Sequence, residues 1–181
     1  SDVYKRQHSY FNLAGEGSGD VLNQKLCIHA HAYNPVCDSH SIPTGENASV
    51  EGTPMDFLKM KEIGQDIDAD FEQLQFTGGY DHNFVTDNYA PGNVRHIAEA
   101  FCQETGIAMS VSTDCPGVQF YAGNFIENEA GKNGHTYEKR NGFCLETQVE
   151  PNAVNEEAFH SPILEAGEMY HSVTSYRFYI K

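Results

Sequence analysis

Short alternating segments separated by glycine and proline turns constrain the fold of this chain more than any other feature. In residues 25–32, polar or charged side chains alternate with apolar ones, which is the period of a half-buried β-strand. The same alternation recurs in residues 96–102 and 107–114. Residues 104–106, Glu-Thr-Gly, separate those two segments and predict a hairpin turn.

Further strands are predicted at residues 118–121 and 143–147, and in a closing segment where Tyr176, Phe178 and Ile180 share one face. A weak helical pattern is found at Asp56 to Gly64. Strands about every ten residues with glycine and proline turns between them are typical of a sandwich or a barrel. The sequence therefore predicts an all-β fold whose loops carry the function.

The charge of the chain excludes several classes of partner. Among its 181 residues, 11 are Lys or Arg and 26 are Asp or Glu, so the formal net charge is −15. Such a surface repels nucleic-acid phosphates and anionic membranes. No apolar run approaches the roughly 20 residues of a membrane-spanning helix. The expected partner is a neutral or cationic small molecule.

Metal binding is a weak alternative in this sequence. His29 and His31 share one strand face, and His40 or Asp38 would have to supply a third ligand. A solvated strand face is the favoured interpretation, because the alternate positions are the apolar ones. The five cysteines show no CxxC spacing, which favours reduced thiols in a cytosolic protein.

Two carboxylates are candidates for site chemistry. Asp81 precedes His82, and neighbouring strand residues point to opposite faces, so the two are not expected to form a dyad. Asp81 either reaches a pocket or caps its own turn. Glu146 stands in a short apolar strand, where a carboxylate is rarely buried unless it is paired or functional. It either serves as a general base or faces outward on an edge strand.

Residues 118–125 interleave amide and aromatic side chains, with Gln119 among the amides. Proteins bind sugars in this way, with rings against C–H faces and polar groups on hydroxyls. The alternative is a core strand with a polar edge. Near the start of the chain, His8 is a candidate proton donor, since histidine can exchange a proton near neutral pH.

Five ordered segments together resemble the aldose 1-epimerase family: residues 8–13, 42–46, 79–84, 116–125 and 142–148. The resemblance implies a galactose mutarotase-like β-sandwich (supersandwich), here incomplete. It also implies cytoplasmic, metal-independent and cofactor-free interconversion of the α and β anomers of hexoses such as galactose and glucose. By the same resemblance, Glu146 is the general base, His8 is the general acid, and Asp81 and Gln119 hold sugar hydroxyls.

Other features depart from the family. Residues 1–7 match nothing in it and form an unmatched leader, so residues 8–181 are expected to be the C-terminal part of a single sandwich domain. We accordingly expect the chain by itself to be inactive or weak, and to expose strand edges. One alternative function is a non-catalytic carbohydrate-binding module. Another is a glycosidase that uses Glu146 and Asp81 as its carboxylate pair.

Overall fold

A computed structural model describes residues 8–181, so the predicted leader lies outside the described residues. The strands in this range are Lys25–Ile28 (β1), Ala32–Tyr33 (β2), Ala48–Ser49 (β3), Lys61–Glu62 (β4), Asp81–Val85 (β5), Arg95–Phe101 (β6), Ile107–Thr113 (β7), Gly117–Tyr121 (β8), Glu129–Ala130 (β9), Thr136–Tyr137 (β10), Cys144–Gln148 (β11) and Thr174–Ile180 (β12). One α-helix, Glu72–Thr77 (α1), and 3-10 turns at Lys132–Gly134 and Ala153–Asn155 complete the elements of these residues.

Two five-stranded antiparallel sheets form the body of the described part of the chain. The first has the order β12-β7-β6-β1-β4, and the second has the order β11-β8-β5-β2-β3. Strands β9 and β10 form a small separate ribbon. Among residues 8–181, no helix has the length and apolar character needed to cross a membrane. The predicted all-β architecture is confirmed.

The strand predicted over residues 25–32 is divided between the two sheets. β1 pairs with β6 in the first sheet, whereas β2 pairs with β5 in the second. The break lies where the Ala30 amide donates to the carbonyl of Ile28, at 3.0 Å, instead of to a neighbouring strand. Polar and apolar residues alternate both before and after the point where the chain crosses from one sheet to the other. The sequence pattern therefore predicts a single strand.

The predicted hairpin is confirmed, since β6 and β7 pair antiparallel up to Phe101 opposite Ala108. Strands β8 and β11 confirm the two other predicted segments to within one residue. The helix predicted at Asp56 to Gly64 is wrong, because this segment forms turns and strand β4. The Asp56 carboxylate accepts the amide hydrogen of Leu58, which favours a turn over a helix.

Buried aromatic rings fill the space behind the second sheet. Phe57 makes edge contacts with Tyr80, Phe84 and Phe120, at ring-centroid distances of 5.0, 6.2 and 5.4 Å. All four side chains are at most 1% exposed. Edge contacts add to the free energy gained by burying such large rings. This cluster packs against the inner face of strands β5 and β8 and stabilises their position.

Replacement of the central ring should test that account. We expect Phe57→Ala to lower the free energy of unfolding by about 3–5 kcal/mol, since it leaves a cavity among three rings. Ile163 is 64% exposed, and Ile163→Ala should change stability by less than about 0.5 kcal/mol. Urea unfolding of both variants measures the difference. Equal losses in the two variants would contradict the central role of the Phe57 ring.

Candidate functional site

Three adjacent strands of the second sheet present their polar side chains on one face. In β5, β8 and β11, Asp81 is paired in register with Tyr121, and Gln119 is paired with both Asn83 and Glu146. Side chains alternate along a strand, so Asp81, Gln119 and Glu146 share the face opposite the buried rings. We call this surface the cleft face; it carries Asp81, Asn83, Gln119, Tyr121, Cys144, Glu146 and Gln148.

The entry to β5 depends on a glycine. Gly79 has a φ of +135°, and a Cβ there would lie 2.4 Å from Oδ1 of Asn124. The side-chain nitrogen Nδ2 of Asn124 donates to the backbone carbonyl oxygens of Thr77 and Tyr80, at 3.2 and 2.9 Å. These bonds tie the loop after β8 to the turn before β5. Asp81 is therefore held at the start of its strand by contacts on both sides.

Asp81 and Gln119 form the first pair of predicted site residues. The Gln119 side-chain amide donates to Oδ1 of Asp81 at 2.8 Å. Burial raises the pKa of Asp81, while the bond from Gln119 and the charge of His8 act in the opposite direction. The carboxyl group is thus a hydrogen-bond acceptor in a poorly solvated place, where hydrogen bonds are stronger than in water. His82 is fully buried on the other face, and its pKa is lowered to about 4 by burial, so the prediction that these neighbours form no dyad is confirmed.

His8 and Glu146 form the second pair. A two-way bridge between Phe11 and Phe143, with N–O distances of 2.7 and 3.0 Å, brings the start of the described chain beside β11. The ring of His8 stacks on Tyr10 with a centroid distance of 5.5 Å. Its Nε2 atom lies 3.5 Å from Oε1 of Glu146. Of the two side chains, His8 is 49% exposed and Glu146 is 17% exposed.

Two open clefts adjoin these groups. One, of about 1060 Å³, is lined by His8, Tyr10, Asp81 and Tyr121 among others. The second, of about 1040 Å³, is lined by Glu146 and neighbouring residues, and Ser9 lines both. The His8–Glu146 contact lies where they meet. A ligand that spans both clefts must therefore displace the half-exposed His8 ring from the carboxylate of Glu146.

Aromatic and sulfur groups complete the site. Tyr10 and Tyr121 meet edge to face at 6.2 Å, and burial is the main cause that raises the pKa of Tyr10 to about 12. The Tyr121 hydroxyl accepts the amide hydrogen of Phe125 at 3.1 Å. Burial, followed by the charge of Glu146, raises the pKa of Cys144. That thiol stays protonated at neutral pH and is a poor nucleophile.

The histidines considered for a metal site lie apart from this face. His29 packs edge to face on His96 with a centroid distance of 5.0 Å, whereas Nδ1 of His31 lies 2.8 Å from a carboxylate oxygen of Asp87. His40 is bound to Asp38 in an exposed loop. Within the described range 8–181, no three His, Cys, Asp or Glu side chains are grouped so that they could hold a metal ion.

Sequence reasoning missed four members of the cleft face and the neighbouring Tyr10. Tyr10, Tyr121, Cys144, Asn83 and Gln148 all adjoin the predicted residues. Four of the five stand two positions from a predicted residue on the same strand. The signal that could have found them is the strand period itself, applied outward from Asp81, Gln119 and Glu146.

The sequence profile of a family described as aldose 1-epimerase matches residues 7–177. Galactose mutarotase from Pongo abelii is 43% identical over 176 residues, which are 94% of this chain and 48% of that protein. Aldose 1-epimerase from Escherichia coli is 36% identical over 178 residues, which are 97% of this chain and 50% of that protein. The chain spans about half the length of the curated relatives it matches.

Solved structures support the fold. An aldose epimerase homologue from C. elegans superimposes with a TM-score of 0.78 at 25% identity, covering 96% of this chain and 50% of that one. A galactose 1-epimerase from Lactobacillus acidophilus gives a TM-score of 0.65 at 24% identity, covering 94% and 47%. These similarities confirm the predicted galactose mutarotase-like β-sandwich.

The burial of Asp81 predicts a pH-dependent cost in stability. A carboxyl whose pKa is raised on folding destabilises the fold once the pH exceeds its unfolded value of about 3.9, and this cost grows until the pH passes its folded value. Asp81→Asn keeps an acceptor for Gln119 and should raise the melting temperature at pH 7 but not at pH 3. Glu104→Gln, on an exposed turn, is the control and should change neither. A lower melting temperature for Asp81→Asn at pH 7 would contradict the assignment.

Proposed function

Because this chain belongs to the aldose 1-epimerase family, we propose that its cleft face binds a hexose such as galactose or glucose and interconverts the α and β anomers. The observation that carries the proposal is the convergence of His8, Glu146, Asp81 and Gln119 on one face, within two hydrogen-bonded or contacting pairs. The names of the relatives, galactose mutarotase and aldose 1-epimerase, support the proposed reaction.

The reaction needs one base and one acid. Glu146 takes the proton of the O1 hydroxyl while His8 protonates the ring oxygen, and the bond between C1 and the ring oxygen breaks to give the open-chain aldehyde. Rotation about the C1–C2 bond presents the other face of the carbonyl. On reclosure, the freed hydroxyl attacks C1, His8 takes back its proton and Glu146 returns the other to O1.

The proximity of His8 and Glu146 suits this chemistry once the His8 ring has turned away from the carboxylate. O1 and the ring oxygen are both bonded to C1, so the two groups that serve them must lie near each other. His8 Nε2 and Glu146 Oε1 are 3.5 Å apart, which is longer than a good hydrogen bond. The half-exposed His8 ring has room to turn and admit the sugar. Asp81, with Gln119 behind it, would hold hydroxyls and fix the ring.

The charge of the chain and its thiols support the proposed substrate and location. A neutral hexose is not repelled by a chain with a net charge of −15. A cytoplasmic location is part of the proposal, since all five cysteines are free thiols and three of them are buried.

Polarimetry on freshly dissolved α-galactose tests the proposed roles. Since the chain by itself is expected to be inactive or weak, we expect Glu146→Gln and His8→Asn each to abolish whatever rate above buffer it shows, because each removes one proton carrier. The matched controls are Glu104→Gln on an exposed turn and His40→Asn in an exposed loop, and neither residue lines the two clefts. They should keep the rate of the unmodified chain. An unchanged rate in Glu146→Gln would refute its role as the base.

Galactose binding separates the alternatives. If the chain is a non-catalytic sugar-binding module, the unmodified chain should bind galactose, as seen in NMR shifts at Asp81 and Gln119, and should give no rate above buffer. A glycosidase would hydrolyse an aryl galactoside. Epimerase activity predicts binding and a rate without hydrolysis, and that rate is expected to be weak for this chain by itself. Absence of both binding and rate would overturn the proposed function of the cleft face.

A further inference from the structure

A continuous row of amide side chains crosses the cleft face behind Asp81. We call it the amide row; its members are Gln119 on β8, Gln148 on β11, Asn83 on β5, and Asn34 just after β2. Asn83, Asn34 and Gln148 are 2%, 1% and 9% exposed. Buried amides are costly unless their hydrogen bonds are made, so the orientation of each amide is fixed by its neighbours.

One arm of the row ends on a backbone carbonyl. The Asn34 side-chain nitrogen donates to the carbonyl oxygen of Glu46 at 2.9 Å. A backbone carbonyl oxygen can only accept, so the Asn34 nitrogen must face it. Oδ1 of Asn34 then accepts from the Asn83 side-chain nitrogen at 2.7 Å. Oδ1 of Asn83 in turn accepts from Nε2 of Gln148 at 3.1 Å. This order forces Gln148 to present its nitrogen, not its oxygen, to Asn83.

The other arm reaches the sugar-binding pair. The same Nε2 of Gln148 donates to Oε1 of Gln119 at 3.0 Å, and Nε2 of Gln119 donates to Asp81 at 2.8 Å. If the Gln119 amide were reversed, its oxygen would face the Asp81 carboxylate and its nitrogen would face the nitrogen of Gln148. Both contacts would be repulsive. Gln148 thus opposes reversal of the Gln119 side-chain amide through its hydrogen bond to Gln119.

The backbone makes room for this arrangement. Gly117 is paired in register with Gln148, and a Cβ at Gly117 would lie 2.6 Å from Oδ1 of Asn83. That oxygen is the one that accepts from Gln148. Any larger residue at position 117 would push the Asn83 amide out of the row.

We propose that Gln148 is a positioning residue: its side-chain nitrogen, bridging Gln119 and Asn83, fixes Gln119 with its own nitrogen on Oδ1 of Asp81. Oδ2 of Asp81 is then presented to accept a sugar hydroxyl, a consequence that rests on the proposed function. Gln148 itself need not touch the sugar.

Hydrogen exchange in the sugar-free protein tests the positioning. Gln148→Met has nearly the same length and lacks the amide, and it should speed exchange of the Gln119 side-chain amide hydrogens, seen by ¹⁵N NMR, by about tenfold, the loss expected for a hydrogen bond. Gln75→Met, at an exposed glutamine on α1, is the control and should not affect Gln119. Unchanged Gln119 exchange in Gln148→Met would overturn the proposal.

A second variant decides the question if Gln148→Met does not fold. Gly117→Ala displaces the Asn83 acceptor and removes the hydrogen bond that Gln148 donates to Asn83. Faster exchange of the Gln119 amide in this variant supports the proposal. Exchange at the rate of the unmodified protein overturns it.

Galactose titration tests the consequence for binding. Gln148→Met should weaken galactose binding about tenfold and raise KM with little change in kcat. In a Gln119→Met background, Gln148→Met should add no further loss, because it acts through Gln119. Losses that simply multiply would contradict positioning through Gln119. If the unmodified protein binds no galactose, the proposed function fails, whereas the exchange experiment still decides the role of Gln148.

Discussion

The antiparallel register of β5, β8 and β11 is the constraint on which the site depends. It sets Asn83, Gln119 and Glu146 side by side across three strands, and Asp81 lies two positions before Asn83 on β5. A shift of one residue in any strand would turn its polar side chains into the aromatic core and its apolar ones into the cleft. The Phe57 ring cluster opposes such a shift, because it needs Phe84 and Phe120 on the inner face.

The polar face is maintained at a cost that hydrogen bonds offset. Asp81 is held in a place where burial raises its pKa, and Gln119 compensates in part by donating to it. The amides behind Gln119 extend this compensation to a backbone carbonyl at Glu46. Stability and preorganisation thus draw on the same bonds: the row that satisfies buried groups also fixes the direction in which Asp81 can accept.

The sequence predicted those parts that depend on local alternation. It separated Asp81 from His82 and located most strands, because strand period is a property of neighbouring residues. It could not show that His8 meets Glu146, since a bridge between Phe11 and Phe143 joins distant parts of the chain, and the family resemblance gave only the roles of the two residues. The helix expected near Asp56 failed because a side-chain bond to Leu58 outweighs weak periodicity. The strand period places Gln148 on the face of Glu146, but its hydrogen bonds to Gln119 and Asn83 join three strands and have no local pattern in the sequence.

The central claim is that Glu146 and His8 act on two oxygens of one sugar carbon. A crystal structure of the Glu146→Gln variant with galactose tests it most directly. The account predicts that O1 lies within hydrogen-bond distance of the side chain at position 146 and that the ring oxygen lies within the same distance of Nε2 of His8, with Asp81 on a hydroxyl. Galactose bound with C1 directed away from residue 146 and His8 would contradict it.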